Sequence, residues 1–297
     1  GFVGLYNEVI VIDTTRIDEP FAPKPPQDLS DPASWQPYTD PATGEVIKEP
    51  WVKTIKIDGV NSIMDTVATQ DLSRVFVAHS GGVSVIDAFT LELANVPGGG
   101  KIIAIPGGVT ALALDPSERY LYAAGVGKVY VIDLLPGSKY FHKISDEIDV
   151  TAPSLGRIND LAVNADGRRL LVATPATTLF GVDSWVQGKR NQGLLQVINV
   201  DEADKPKDAN TPNTKMWHEV VEAKAAGLEP WRIAPTSDAD KLLLTSRLDL
   251  SNGLRTVLIK GDNPLTLKLE LNQISLDLNS KDKGGLGEPQ LYPITGD

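Results

Sequence analysis

The sequence predicts an all-β protein, a β-propeller built from four-stranded antiparallel blades. One observation is a recurring strand, VIVID, VSVID, VYVID or LQVIN, which ends at Asp13, Asp87, Asp133 and Asn199. A second is a polar turn followed by a basic residue and an apolar strand, as in DPSERYLYAA and NADGRRLLVA. Strand-rich units that recur at about 40 to 50 residues are typical of propeller blades.

Each unit is predicted to hold four short strands. In the order of the strands within a blade, the examples are VTALALD, YLYAA, VYVID and an outer strand such as KIIAIPG, which comes from the preceding unit. We align the basic residues that precede the second strands, namely Arg74, Arg119, Arg168 and Lys241. A catalytic residue is needed once, whereas these residues and the strand-end Asp residues recur, so we interpret both sets as structural.

The repeats divide the chain into blades at about residues 1–58 with 285–297, 59–106, 107–153, 154–226 and 227–279. The first blade lacks its innermost strand, and the tail GEPQLYPITGD matches such a strand without the rest of a blade. Two explanations are open. Either the C-terminal strand closes the ring onto the first blade, or the chain is a segment of a larger propeller that is flanked by further domains.

Two insertions interrupt this pattern. A Pro-rich insertion occupies residues 14–50 and is predicted to pack against the flank of the propeller. A loop insertion at residues 174–192 separates the second and third strands of its blade. In propellers that connection lies on the face where ligands usually dock, so we expect this loop to border a binding surface.

Three segments, DPSERYLYAAGVGKVYVID, NADGRRLLVA and HSGGVSVIDAFTLELANVPGGGKIIAIPGG, are similar to the whole or to part of the pattern P-D-G-x-x-[LV]-Y-V followed by V-x-V-I-D. In this pattern the chain resembles the YVTN family of β-propeller repeats, over roughly residues 1–270. The Tyr-Val-Thr-Asn tetrapeptide itself is missing. The resemblance implies the fold without implying one activity, because such repeats occur in surface proteins, lactonase-like enzymes and haem-bearing reductases.

Composition narrows the functional classes. The net charge of -11 argues against a nucleic-acid partner, because it repels a phosphate backbone. The absence of cysteine excludes disulfides, thiolate metal sites and cysteine nucleophiles. It also fits an extracellular, cell-surface or periplasmic protein. No run of about 18 apolar residues is present, so no membrane span is expected in this chain.

Motifs of cofactor or metal chemistry are scarce. The three histidines, His79, His142 and His218, fall in different kinds of position, and no His-x-x-x-His pair occurs. His79 is the one candidate for a metal or haem ligand, with a loop histidine as the alternative. We expect no cofactor; a structural calcium ion at an acidic turn such as DEADKPKDAN stays open beside a solvated charged loop.

A binding face is predicted where several Trp, Arg and polar residues fall near the predicted links between blades and in the loop insertion. Trp and Arg are enriched at binding hot spots because they combine contact area with hydrogen bonding. The alternative is that Trp231 packs between blades and Trp185 anchors its own loop. The residues of this predicted face are Asn159, Asp160, Trp185, Arg190, Trp231, Arg232 and Arg247.

These observations favour a non-enzymatic binding or scaffold module of an exported or cell-surface bacterial protein, which recognises a protein or glycan through its loop face. The alternative is a lactonase-like hydrolase with a divalent metal at the central channel, held by acidic residues such as Asp65, Asp160 or Glu229. A haem redox module is a third option, which the missing C-x-x-C-H site disfavours.

Overall fold

The computed structural model describes residues 2–12, 38–39, 46–47, 52–152, 155–176, 185–186, 189–190, 193–227, 229–246 and 254–274. Regular structure in these residues is β-strand, apart from a 3₁₀ turn at Glu202–Asp204. No helix in them is long and apolar enough to cross a bilayer. The strands form five larger antiparallel sheets that follow one another along the chain, called blades 1 to 5 below.

Blades 1 and 2 occupy the first half of the described chain. Blade 1 pairs its strands in the order β1 (Phe2–Leu5), β2 (Glu8–Ile12) and β5 (Val52–Lys56). The short strands β3 (Tyr38–Thr39) and β4 (Val46–Ile47) pair with each other. Blade 2 pairs β6 (Ile63–Ala68), β7 (Arg74–His79), β8 (Gly82–Asp87) and β10 (Ile102–Ala104), while β9 (Glu92–Leu93) also pairs with β8.

Blades 3, 4 and 5 each pair four strands in chain order. Blade 3 contains β11 (Leu112–Leu114), β12 (Tyr120–Ala124), β13 (Lys128–Asp133) and β14 (Lys143–Asp149). Blade 4 contains β15 (Asp160–Val163), β16 (Arg169–Thr174), β19 (Leu194–Asn199) and β20 (Val220–Ala225), and the short β17 (Trp185–Val186) and β18 (Lys189–Arg190) pair with each other. Blade 5 contains β21 (Pro230–Pro235), β22 (Lys241–Ser246), β23 (Leu254–Lys260) and β24 (Lys268–Gln273).

The hydrophobic core lies in layers between successive blades. Tyr122 and Val131 of blade 3 pack with Leu170 and Val172 of blade 4, and equivalent clusters fill the other three junctions. The second strand of blade 3, β12, is buried along its whole length because blades cover both of its faces. This explains why the second and third strands are continuous apolar runs rather than alternating ones.

The first strands of the blades, β6, β11, β15 and β21, lie next to one another and form the inner side of the array. Two faces follow from this arrangement. The loop face carries the links between blades and the connections between second and third strands, such as residues 80–81, 105–111, 125–127 and 226–227. The turn face carries the other two kinds of connection, such as residues 69–73, 115–119, 134–142 and 200–219.

The Asp residues at the ends of the third strands terminate them by binding backbone N–H groups. Asp87 Oδ1 accepts hydrogen bonds from the amides of Phe89 and Thr90, at 3.0 Å each. Asp133 Oδ1 accepts one from the amide of Leu135 at 2.7 Å. The predicted structural role of these two residues is confirmed, whereas Asp13 lies outside the described residues.

The predicted alignment of basic residues is wrong by one position in blades 3 and 4. Arg74 pairs with Asp87 across blade 2, but Tyr120 pairs with Asp133 and Arg169 pairs with Asn199. The residues equivalent to Arg74 are therefore Tyr120 and Arg169, rather than Arg119 and Arg168. The sequence leaves this register ambiguous, because ERY and GRRL each contain two adjacent long side chains and either of them fits the repeat pattern.

The prediction that the three histidines occupy different kinds of position holds for His79, which ends β7, and is wrong for the other two. His142 and His218 both precede the fourth strand, and both have a positive φ, 54° and 57°. The amide of His142 donates to the Asp133 carbonyl at 2.8 Å, and that of His218 donates to the Asn199 carbonyl at 2.7 Å. Each imidazole also stacks on the aromatic residue before it.

Candidate functional site

Four residues of the predicted binding face meet at the junction of blades 4 and 5. Asn159 Nδ2 donates to the Pro230 carbonyl at 2.7 Å, next to Trp231. Arg232 NH1 donates to Asp160 Oδ1 at 3.1 Å. Trp185 and Arg190 lie in β17 and β18, but their side chains and the whole of Arg247 lie outside the described residues.

Asp160 links the inner strands of these two blades. Its residue is only 5% exposed, and Oδ2 accepts the backbone N–H of Ile233 at 2.7 Å. Burial raises the pKa of the Asp160 carboxyl, although the Ile233 amide and Arg232 act in the opposite direction. Arg232 keeps a side-chain exposure of 47%, so its guanidinium is accessible from the solvent while it pairs with Asp160.

Asp65 has the same role in blade 2 that Asp160 has in blade 4. Its Oδ2 accepts the backbone N–H of Leu112, the first residue of β11, at 2.9 Å. Its Oδ1 accepts the N–H of Thr66 at 2.9 Å. Asp65 and Asp160 therefore each bind the inner strand of the next blade, which a carboxylate does well because it accepts several N–H bonds at once.

Sequence reasoning missed Arg157 as a member of this site. Its NH2 lies 3.3 Å from Glu229 Oε1, and its guanidinium carbon lies 5.7 Å from the centre of the Trp231 ring. The signal was present in the sequence, because Arg157 precedes Asp160 at the same spacing at which Glu229 precedes Arg232. Oppositely charged residues at equivalent positions of consecutive blades meet across the junction.

His79 is fully buried inside blade 2, and both of its ring nitrogens are hydrogen-bonded. The amide of Gly81 donates to Nδ1 at 3.1 Å, which leaves the proton on Nε2, 3.0 Å from Ser84 Oγ. The Ser84 hydroxyl donates in turn to the Lys101 carbonyl at 3.0 Å. Burial lowers the pKa of His79 to about 4. This geometry assigns His79 to the packing of its blade.

The junction of blades 4 and 5 offers hydrogen-bond donors beside an aromatic surface. Arg157 and Arg232 are partly exposed, and Trp231 is half-buried between them. Asn159 Oδ1 is buried and accepts no hydrogen bond from the described residues. Among those residues no three His, Asp or Glu side chains come together in an arrangement that holds a metal ion.

No protein-family model and no curated protein matches the chain. Among solved structures, hydrazine synthase of Kuenenia stuttgartiensis is similar with a TM-score of 0.52 and 16% identity, over 86% of this chain and 61% of that one. A "putative 6-phosphogluconolactonase" from Bacteroides fragilis is similar with a TM-score of 0.52 and 14% identity, over 79% of this chain and 62% of that one. The fold is a β-propeller.

At these identities the likeness concerns the fold alone. The chain spans about three-fifths of the length of either structure. The resemblance to YVTN repeats therefore holds at the level of propeller architecture. The propeller then explains why the site lies between blades, because each junction brings together residues about one repeat apart.

Proposed function

We propose that the chain is the binding module of an exported or cell-surface bacterial protein, and that it recognises a protein or glycan at the junction of blades 4 and 5 on the loop face. The observation that carries this proposal is that the acidic residues named as candidate metal ligands already have protein partners. Asp65 and Asp160 bind backbone amides, and Asp160 and Glu229 also pair with arginines.

A partner at this junction would meet the exposed parts of the Arg157 and Arg232 side chains, beside the half-buried indole of Trp231 on which Arg157 lies. An indole with flanking guanidinium groups suits a protein hot spot, because it buries apolar area and donates several directed hydrogen bonds. It also suits a glycan, because sugar hydroxyls accept from arginine while the apolar face of the sugar ring stacks on tryptophan.

The binding proposal is tested by probing an array of glycans and purified bacterial surface proteins with the labelled chain. Trp231→Ala and Arg232→Ala are each expected to weaken binding to any captured partner by roughly thirtyfold, the scale of a hot-spot residue. Phe89→Ala is the control, because Phe89 is an exposed aromatic residue on the opposite, turn face. Equal binding by all three variants would show that the partner uses another surface.

The competing function, a metal-dependent lactone hydrolase, is tested with the same protein. We expect δ-gluconolactone to be hydrolysed in the presence of Ca²⁺, Mg²⁺ or Mn²⁺ no faster by the wild type than by Asp160→Asn or Asp65→Asn. Turnover that needs a metal and is abolished by both variants would favour the hydrolase instead.

A further inference from the structure

A cleft of about 380 Å³ opens between blades 3 and 4 on the turn face, which is opposite the loop face that carries the proposed binding site. Its walls come from the start of β12, from β14 and from the connections that precede the fourth strand in each blade. Six side chains define its character: Arg119, Tyr120, Lys139, Tyr140, Lys205 and Trp217.

Buried polar atoms without partners are concentrated around this cleft. The described residues contain five buried side-chain nitrogen or oxygen atoms that make no hydrogen bond, and three of them are Arg119 Nε, Trp217 Nε1 and His218 Nε2. His218 stacks on Trp217 with ring centres 3.5 Å apart and meets Tyr120 edge-on at 6.2 Å. Since buried polar groups in native proteins are nearly always paired, this cluster indicates an incomplete site.

The neighbouring junction shows that such a cluster is not a general property of the fold. Between blades 2 and 3, the equivalent His142 accepts from Arg74 NH1 through Nε2 at 3.1 Å. Between blades 3 and 4, Tyr120 stands in the place of Arg74, and His218 Nε2 has no donor among the described residues. His218 Nδ1 is instead held by Asp146 Oδ2 at 2.6 Å, which fixes the imidazole and the indole stacked on it.

The carboxylates that line the cleft already accept hydrogen bonds. Asp146 accepts from His218 and from the Glu147 amide; burial favours a higher pKa of Asp146, but these bonds and nearby Lys205 outweigh it and lower the pKa. Asp133 accepts from the Ser138 hydroxyl at 2.6 Å as well as from a backbone amide.

The donors, by contrast, are in excess. Glu202 forms ion pairs with both Arg119, at 2.9 Å, and Lys205, at 3.7 Å. Lys205 Nζ also donates to Tyr120 Oη at 2.9 Å and lies 4.7 Å from the centre of the Trp217 ring. Lys139 Nζ lies 4.8 Å from the centre of the Tyr140 ring at the rim. A ligand that complements this cleft must bring hydrogen-bond acceptors and negative charge.

We propose that this cleft binds a small aromatic carboxylate. The carboxylate would accept from Lys205 Nζ and from the indole N–H of Trp217, and the flat ring would lie against Tyr140 and Trp217. Hydrogen bonds from a charged donor to a carboxylate are stronger than those between neutral groups, and offset aromatic contacts add to the binding free energy. Lys205, whose Nζ lies over the Trp217 indole, is the side chain that would move to admit the ligand.

The test follows the indole N–H signals of the uniformly ¹⁵N-labelled chain, which holds five tryptophans, during titration with benzoate. Trp217→Phe identifies the Trp217 signal by its disappearance. We expect benzoate to move that signal saturably and downfield, because the N–H gains an acceptor. Benzyl alcohol, which keeps the ring and lacks the charge, is expected to bind at least about tenfold more weakly, as is inorganic phosphate, which keeps the charge and lacks the ring.

Matched lysine variants test whether benzoate binds in this cleft. Lys205→Gln is expected to weaken benzoate binding by roughly tenfold. Lys207→Gln, an exposed lysine in the same connection, is expected to leave it unchanged. If Lys205→Gln lowers the melting temperature, Lys139→Gln at the rim replaces it, with an expected loss of about threefold.

Several results would overturn the proposal. The first is the absence of a saturable Trp217 shift up to the solubility limit of benzoate. Equal affinity for benzoate and benzyl alcohol would show an apolar crevice, and equal affinity for benzoate and phosphate a simple anion site. Binding that Lys205→Gln and Lys139→Gln leave unchanged would place benzoate elsewhere. None of these results depends on the loop face, so they stand apart from the test of the proposed function.

Discussion

The junction of blades 2 and 3 and the junction of blades 3 and 4 are built from equivalent elements that end in different hydrogen bonds. In the first, Arg74 opens the second strand of its blade and donates to His142 across the junction. In the second, Tyr120 takes that place and accepts from Lys205 instead. As a result His142 Nε2 has a donor, whereas His218 Nε2 has none among the described residues.

The junction of blades 4 and 5 repeats the plan a third time. Arg169 opens β16, and its guanidinium donates to Asn199 Oδ1 at 2.7 Å and to the Asp262 carbonyl at 2.6 Å. In blades 2, 3 and 4, the first residue of the second strand therefore makes a hydrogen bond to the following blade. Its partner there lies in the connection between the third and fourth strands. Where that residue is arginine its guanidinium hydrogen-bonds to the next blade, and where it is tyrosine a cleft is left in which Arg119 Nε, Trp217 Nε1 and His218 Nε2 have no partner among the described residues.

The largest effect is expected from removing the fully used arginine. Arg169→Leu should destabilise the protein by about 2–4 kcal/mol, because Arg169 is 4% exposed and its removal leaves buried acceptors unpaired. Arg168→Leu is the neighbouring control and should cost no more than about 1 kcal/mol, since its ion pairs are exposed. Urea unfolding of both variants is the measurement. Equal losses would contradict the corrected register.

A second effect is a dependence of stability on pH. Burial, with a smaller contribution from Arg74, lowers the pKa of His142 to about 4 from the ordinary value of 6.5. Between these values the unfolded chain binds more protons than the folded one, so stability falls as the pH falls through this window. The loss is expected to reach about 2 kcal/mol at pH 5.

His142→Gln tests the assignment of this pH dependence. The variant should be less stable than the wild type at pH 7 but should lose less stability between pH 7 and pH 5. Thermal unfolding at several pH values follows both quantities. His79 contributes a similar slope, because burial lowers its pKa to about 4 as well. A slope unchanged in both His142→Gln and His79→Gln would contradict the account of these two histidines.

The smallest effects come from the equivalent residues of the two compared junctions. Arg74→Leu should cost about 1–2 kcal/mol, because it leaves a buried imidazole nitrogen without its donor. Tyr120→Phe should cost less than about 1 kcal/mol, because Lys205 keeps water and Glu202 as partners. Denaturant midpoints of the two variants compare the junctions directly. A larger loss for Tyr120→Phe would mean that blades 3 and 4 depend on the tyrosine hydroxyl.

The sequence alone determined the fold class and the local role of the strand-end residues. The repeated third strand, the polar turns and the apolar second strand are each encoded within a few residues, so the sequence predicts them without any knowledge of tertiary contacts. Asp87 and Asp133 bind amides two or three residues further on, and a local pattern predicts such bonds correctly.

Only the tertiary structure decided which residues meet across a junction. The equivalence of His142 and His218 is hidden in the sequence because the connections before them, residues 134–141 and 200–217, differ in length. The identity of Arg169 as the partner of Asn199 depends on a register that two adjacent arginines leave ambiguous. Contacts such as Lys205 with Tyr120 join residues of different blades, and the stacking of one sheet on the next fixes them. The cleft between blades 3 and 4 arises from that stacking, so no stretch of the chain encodes it by itself.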